Sequence, residues 1–175
     1  PTLSFIDEHL AKCVALGEVG LDYKAKVKKE LQRDVFRELL RLSVRYGKVP
    51  ILHCRYSHER VFAMITEEGV ERAVFHWYTG SLDLLKRIIA AGHYISATPA
   101  LQYSPPHQDA VKAASLSSIL IETDCPVSYQ GKESRPSDLL ITAEEVARLK
   151  EIPLSEVITI TSDNTKNLYG LNNLL

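Results

Sequence analysis

The sequence predicts a parallel α/β fold. Strand-like apolar runs alternate five times with helix-like amphipathic stretches along the chain. Polar residues of metal-binding type stand at the C-terminal ends of four of those five runs, where the strands of a parallel α/β barrel gather their chemistry. The 175 residues suffice for one domain with a substantial core, so residues 1–175 read as a single domain.

The first apolar run, Cys13 to Leu16, leads into Gly17-Glu18-Val19-Gly20-Leu21-Asp22. A helix follows from Lys28 to Tyr46, with Leu31, Val35, Leu39, Leu42 and Tyr46 on one expected face. Gly47 stops it, and Pro50 opens the strand Pro50–His53. Ser57 is the expected N-cap of a second helix that ends at Gly69. A third strand is expected over Ala73–Trp77, a helix between Ser81 and Gly92, and a fourth strand over Tyr94–Ala97. Pro105 starts a short helix ending near Ala114, and Ser118–Ile121 is the fifth strand, running into Glu122-Thr123-Asp124. The polar stretch Tyr129–Arg135 reads as a loop. Thr142 and Glu145 form a capping-box pattern before a helix to Lys150, and a last helix covers roughly 154–169.

Hydrophobic content of 45% and charged content of 25% are ordinary for a soluble globular protein. The formal net charge of -1 lacks the basic excess usual in groove-reading DNA binders. It does not exclude nucleic acid as a substrate, because bound metal ions can hold a phosphate. Three cysteines without a CxxC argue against a disulfide framework and for a reducing compartment. No apolar run reaches the length of a membrane span.

Glu18 follows the first strand, His53 ends the second, His76 the third, and Asp124 follows the fifth. Taken singly, a histidine at a strand end is most often a satisfied polar residue. An acid after a glycine is ordinary turn chemistry, and Asp124 also suits a turn before Pro126. Their conjunction at equivalent positions points to a mixed nitrogen and oxygen donor set for zinc, manganese or a similar divalent ion. Arg55 lies two residues beyond His53, on the same side of an extended chain. It reads equally as a phosphate clamp or as a surface ion-pair partner. Trp77, Tyr78 and Thr79 line the site mouth or pack in the core. His9, His58, His93 and His107 read as surface residues, and Cys54 and Cys125 as small buried residues.

Gly17 to Tyr23 resembles the G-E-[IV]-G-L-D signature of the TatD-type metal-dependent deoxyribonuclease family, within the metal-dependent hydrolase superfamily. Gln32 and Phe36 match its Q-x-x-x-F helix, and Val49 to Arg55 its P-V-x-x-H-x-R segment. Phe75 to Ser81 is similar to H-C-F-S-G-S, and Leu120 to Pro126 to L-L-E-T-D-[AS]-P. Arg135-Pro136 falls where the family has R-N-x-P, and Asp163 to Tyr169 resembles its N-x-x-x-L-F ending.

The resemblance implies a parallel (β/α) TIM-barrel-type fold, of which this chain carries about five of eight β/α units. The family's opening H-x-H strand has no counterpart here, so the chain reads as a C-terminal portion, lacking the N-terminal part. Glu18, His53, His76 and Asp124 are the implied metal ligands, holding Zn, Mn or Mg, two ions in the complete site. Asp124 also handles the proton of the attacking water, and Arg55 assists the phosphate. The implied reaction is cleavage of DNA phosphodiesters, in single strands or at ends, by metal-activated water in the cytoplasm. An incomplete sheet further implies self-association. The alternatives are hydrolysis of a non-nucleic-acid ester or amide, and a truncated non-catalytic relic or assembly component.

Overall fold

The computed structural model describes residues 2–171. They form two compact units, one running to His76 and including Ala91–His93, the other comprising Trp77–Ala90 and the chain from Tyr94 onward.

The first unit opens with helix α1 (Thr2–His9) and a 3-10 turn, Leu10–Lys12, where the sequence reading placed no element. Strand β1 (Ala15–Asp22), helix α2 (Lys29–Arg45), strand β2 (Val49–Arg55), helix α3 (His58–Glu67) and the short strand β3 (Val74–Phe75) follow. β1 pairs parallel with β2, and β2 with β3. Val19 lies beside Leu52, and Leu52 beside Phe75, giving one buried apolar row across three strands. Each of these side chains contributes roughly 1.5–3 kcal/mol by leaving water.

α2 forms as expected and buries Leu39 and Leu42 of the expected face, but the buried stripe is rotated toward Phe36, Leu40 and Ser43. Leu31 and Val35 are exposed, while Phe36, Leu39, Leu40, Leu42 and Ser43 are buried. Positions 36, 39, 40 and 43 also make an i, i+3, i+4, i+7 stripe, and it is this stripe that packs on β1 and β2. Ser57 does not cap α3 with its side chain; its Oγ instead donates to the Leu21 carbonyl at 2.6 Å, tying the end of β2 to β1.

The second unit contains α4 (Leu82–Ala90), β4 (Tyr94–Ala97), α5 (Pro105–Ala113), β5 (Ile119–Ile121), the hairpin β6 (Ser128–Tyr129) and β7 (Lys132–Glu133), α6 (Leu139–Lys150) and α7 (Leu154–Tyr169). β4 and β5 pair parallel, with Ser96 beside Leu120, and α7 packs on β5. The segment expected as a plain loop thus carries a two-residue antiparallel ladder. Thr142 lies inside α6 rather than at its cap, and its Oγ1 donates to the Glu122 carbonyl at 3.0 Å. The Lys150 ammonium caps α5 by donating to the Lys112 carbonyl at 3.0 Å and to the Ala114 carbonyl. Both units are parallel α/β, as the alternation predicts. No helix among the described residues is long and apolar enough to cross a membrane.

His93 and His107 are buried, contrary to the surface reading. Thr98 N–H donates to His107 Nε2 at 3.1 Å, so Nδ1 carries the proton and donates to the Tyr78 carbonyl at 2.8 Å. His93 packs against Phe62 and Phe75, with ring centroids 6.2 and 6.3 Å away, and its Nδ1 is buried without a hydrogen-bond partner among the described residues. Burial pushes the His93 pKa below its ordinary 6.5. The unfolded chain therefore takes up a proton that the folded chain resists, and stability falls as pH drops below that value. His93→Phe should flatten this dependence relative to the parent. Urea unfolding from pH 5 to 8 tests it, and parallel slopes for the two proteins would show that His93 contributes nothing.

Candidate metal centre

The centre is built by a local irregularity in β1. Leu16 pairs with Pro50 and Val19 with Leu52, so Gly17 and Glu18 together face the single residue Ile51. This β-bulge lies where a side chain must be re-aimed. Two glycines permit it. A Cβ on Gly17 would stand 2.7 Å from Ile51 Cβ, and one on Gly20 would collide with the His53 carbonyl oxygen. The G-E-V-G spacing is therefore a steric requirement for β1 to approach β2.

The bulge places Glu18 within β1 rather than after it, and His53 lies within β2. His76 follows β3 directly, its N–H donating to the Leu52 carbonyl at 3.1 Å. Alternation turns Val19 and Leu52 into the apolar row and their neighbours Glu18 and His53 to the opposite side. The Glu18 carboxylate then meets both imidazoles. His53 Nδ1 lies 3.1 Å from Oε2, and His76 Nε2 lies 3.1 Å from Oε1. His76 is 9% exposed, while the Glu18 side chain is 41% exposed. The cluster is therefore dry on one side and open on the other.

The second nitrogen of His53 faces another acid. Its Nε2 lies 3.5 Å from Asp22 Oδ2. With a carboxylate at each nitrogen, the imidazolium form is favoured. The hydrogen bond to Glu18, foremost, raises the His53 pKa above 6.5 despite burial, and the charges of Glu18 and Asp22 add to it. Glu18 is held low by the same hydrogen bond, against its own burial. Asp22 was not singled out from sequence, although it is the last acid of the Gly17–Tyr23 motif. Its Oδ1 also accepts the amides of Lys24 at 2.8 Å and Ala25 at 3.1 Å.

Two nitrogen or oxygen donors bound to one tetrahedral ion stand roughly 3.3–3.4 Å apart. The 3.1 Å separations between Glu18 and each histidine are close to that spacing, so these residues fit a divalent ion. Burial and the Glu18 charge push the Cys54 thiol up, which disfavours sulfur as an additional ligand. Arg55 ends β2 with an exposed side chain that forms no ion pair among the described residues.

In the second unit, Asp124 is half-buried, with φ 51°. The backbone around it is pinned at several points. Glu122 N–H donates to the Ala97 carbonyl at 2.9 Å, and Val127 N–H to the Asp124 carbonyl at 2.9 Å. Tyr129 Oη donates to the Thr123 carbonyl at 3.2 Å. The Ser96 hydroxyl donates to Glu122 Oε1 and accepts the Trp77 amide at 2.9 Å. The Trp77 ring packs against Tyr129, centroids 5.4 Å apart. Cys125 is exposed, not buried as expected. The structure thus gathers Glu18, His53 and His76 in the first unit and holds Asp124 on a braced turn of the second.

The family model for TatD related DNase matches residues 3–170. The chain belongs to the TatD related DNase family. It is 34% identical over 170 residues to the Bacillus subtilis (strain 168) metal-dependent hydrolase YabD, covering 92% of this chain and 67% of that protein. It is 30% identical over 174 residues to the human deoxyribonuclease TATDN3, covering 95% of this chain and 64% of its relative. The solved structure of YjjV, a TatD homolog from Escherichia coli K12, superposes with a TM-score of 0.87 at 28% identity, covering 96% of this chain and 68% of that one. The fold is therefore the TIM-barrel-like α/β fold of TatD proteins, and the family is one of metal-dependent hydrolases. The chain spans about two thirds of the length of these relatives.

Two measurements check the local geometry. In the metal-free protein, Glu18→Gln should bring the His53 pKa back down toward 6.5; an NMR titration unmoved by the substitution would refute the pairing. Gly20→Ala should destabilise by about 1–3 kcal/mol, because the added methyl meets backbone that cannot yield. An unchanged melting temperature would contradict the close strand approach.

Proposed function

We propose that the protein is a divalent-metal-dependent phosphodiesterase that cleaves DNA, in single strands or at ends, with Glu18, His53, His76 and Asp124 as the metal ligands. The observation that carries the reading is the Glu18 carboxylate, with one oxygen 3.1 Å from each histidine. Two oxygens facing two different imidazoles form a mixed oxygen and nitrogen donor set that would suit divalent ions such as Zn, Mn or Mg. Asp124 enters on its motif, E-T-D, and on its place beyond the C-terminal end of β5. Bound divalent ions polarise the phosphoryl oxygen and lower the pKa of a water.

The chain's own residues supply the rest. Glu18 orients His53 and His76 and offsets the charge they receive. Asp22 faces the far nitrogen of His53 and holds its ring, as carboxylates beside metal-binding histidines do. Asp124 serves as general base toward the attacking water. Arg55, exposed and unpaired among the described residues, steadies the phosphate through its guanidinium fork. Three free cysteines support a reducing compartment, and the cytoplasm is the proposed location.

The protein loaded with manganese or zinc should cleave DNA phosphodiesters, and EDTA should abolish the activity. Asp124→Asn should lower turnover by about a hundredfold or more. His53→Ala should weaken metal binding by at least about tenfold by calorimetry. Because His53 holds its proton to higher pH than usual, metal affinity should rise as pH increases through its titration. Hydrolysis of small carboxylic esters with no phosphodiester cleavage would replace this reading with the ester hydrolase alternative.

A further inference from the structure

The segment following β1 is unusually polarised. Lys24, Lys26, Lys28 and Lys29 occupy four of six consecutive positions, with no acid among them, in a chain with 21 basic and 22 acidic residues. All four side chains belong to exposed residues. The nearby acids are already engaged. Glu30 pairs with Arg33 at 2.8 Å, and Asp22 is committed to the Lys24 and Ala25 amides and to His53. Lys24, Lys26 and Lys28 form no ion pair among the described residues, so their charge is uncompensated.

The segment is also held in shape. The Gln32 side-chain amide donates to the Asp22 carbonyl at 2.9 Å and to the Val27 carbonyl at 3.2 Å, and it accepts the Asp22 amide at 2.9 Å. One side chain thus clamps both ends of the turn. The Lys29 ammonium sits 4.7 Å above the Tyr23 ring. Tyr23 N–H bonds the Arg55 carbonyl at 2.9 Å, which joins the segment to the end of β2. The next residue there is Tyr56, 76% exposed, with φ 56°. Lysines on a backbone held in shape, next to an exposed aromatic ring, are the combination that grips single strands: cations track phosphates, and rings stack on bases. It begins directly after Asp22, whose carboxylate touches His53.

We infer that the Tyr23–Lys29 segment, with Arg55 and Tyr56, is a binding surface for the backbone of a single nucleic-acid strand, leading that strand to the histidines of the first unit. The inference rests on the phosphodiesterase reading and adds the surface that presents the polymer. The Gln32 clamp holds the backbone that carries these lysines, which lowers the ordering cost of presenting them to a strand.

The test is fluorescence anisotropy with a short labelled single-stranded DNA in EDTA, across a range of salt. Changing Lys24, Lys26 and Lys28 together to Gln should weaken binding by about tenfold or more and make the salt slope shallower by about 2, since each phosphate contact contributes roughly 0.7 on a single strand. A control with Lys12, Lys86 and Lys112 changed to Gln removes the same charge elsewhere and should leave both values in place. Equal losses in the two triple variants, or no loss in the first, overturn the inference. So does displacement of DNA by poly-glutamate as readily as by unlabelled DNA, which would mark a general polyanion surface. The three side chains are exposed, so an unchanged thermal melt verifies folding of the first variant. Turnover of bis(p-nitrophenyl) phosphate by the manganese-loaded enzyme separates the two readings. Turnover with unaltered DNA binding in the first variant defeats this inference alone, whereas no turnover by the parent defeats the phosphodiesterase reading.

Discussion

The first unit depends on one carboxylate. Glu18 stands between two imidazoles, and neither arrangement is available without the bulge that turns it there. An acid beside a nearly buried histidine is costly unless its charge is matched, and the two histidines match it. The same contacts that make the cluster tolerable in a folded chain make it a donor set of the right spacing for a divalent ion. Structure and chemistry are here one constraint: β1 has to come close enough to β2 that glycine alone fits at positions 17 and 20.

Three strands serve stability and function with opposite sides. Val19, Leu52 and Phe75 form the buried row that anchors them, while their chain neighbours Glu18, His53 and His76 present the polar row. Period-two alternation alone produces this separation, so the polar cluster inherits its rigidity from the apolar row beneath. In the second unit, rigidity comes from hydrogen bonds to backbone. Thr142, Tyr129 and the Ala97 carbonyl each hold a residue of the Glu122–Thr123 approach to Asp124. A family signature such as E-T-D thus carries a catalytic candidate together with residues whose task is to fix its backbone.

Charge distribution tells more about this chain than its total does. A net charge of -1 suggests indifference to polyanions, yet uncompensated lysines are concentrated in a single clamped turn next to the histidine cluster. Averaging hides such a patch, because acids elsewhere, for example Glu67 and Glu68 beside Arg37 and Arg41, are paired and project little field.

The sequence by itself determined the fold class and the order of the five strands, and it marked Glu18, His53 and His76 as residues that converge, because these rest on local periodicity and on residues whose spacing is a steric or chemical requirement. The last helix, expected over roughly 154–169, forms over Leu154–Tyr169. Tertiary structure alone decided which face of α2 is buried, since two stripes satisfied the helical period and only contact with the strands chose between them. It alone assigned Ser57 and Thr142 to carbonyls on distant segments instead of to helix caps, and it alone enclosed His93 and His107, whose surroundings come from residues remote in sequence. It also revealed Asp22 behind His53. In each case the deciding partner lies across a packed interface, and no pattern along the chain encodes which residues will meet there.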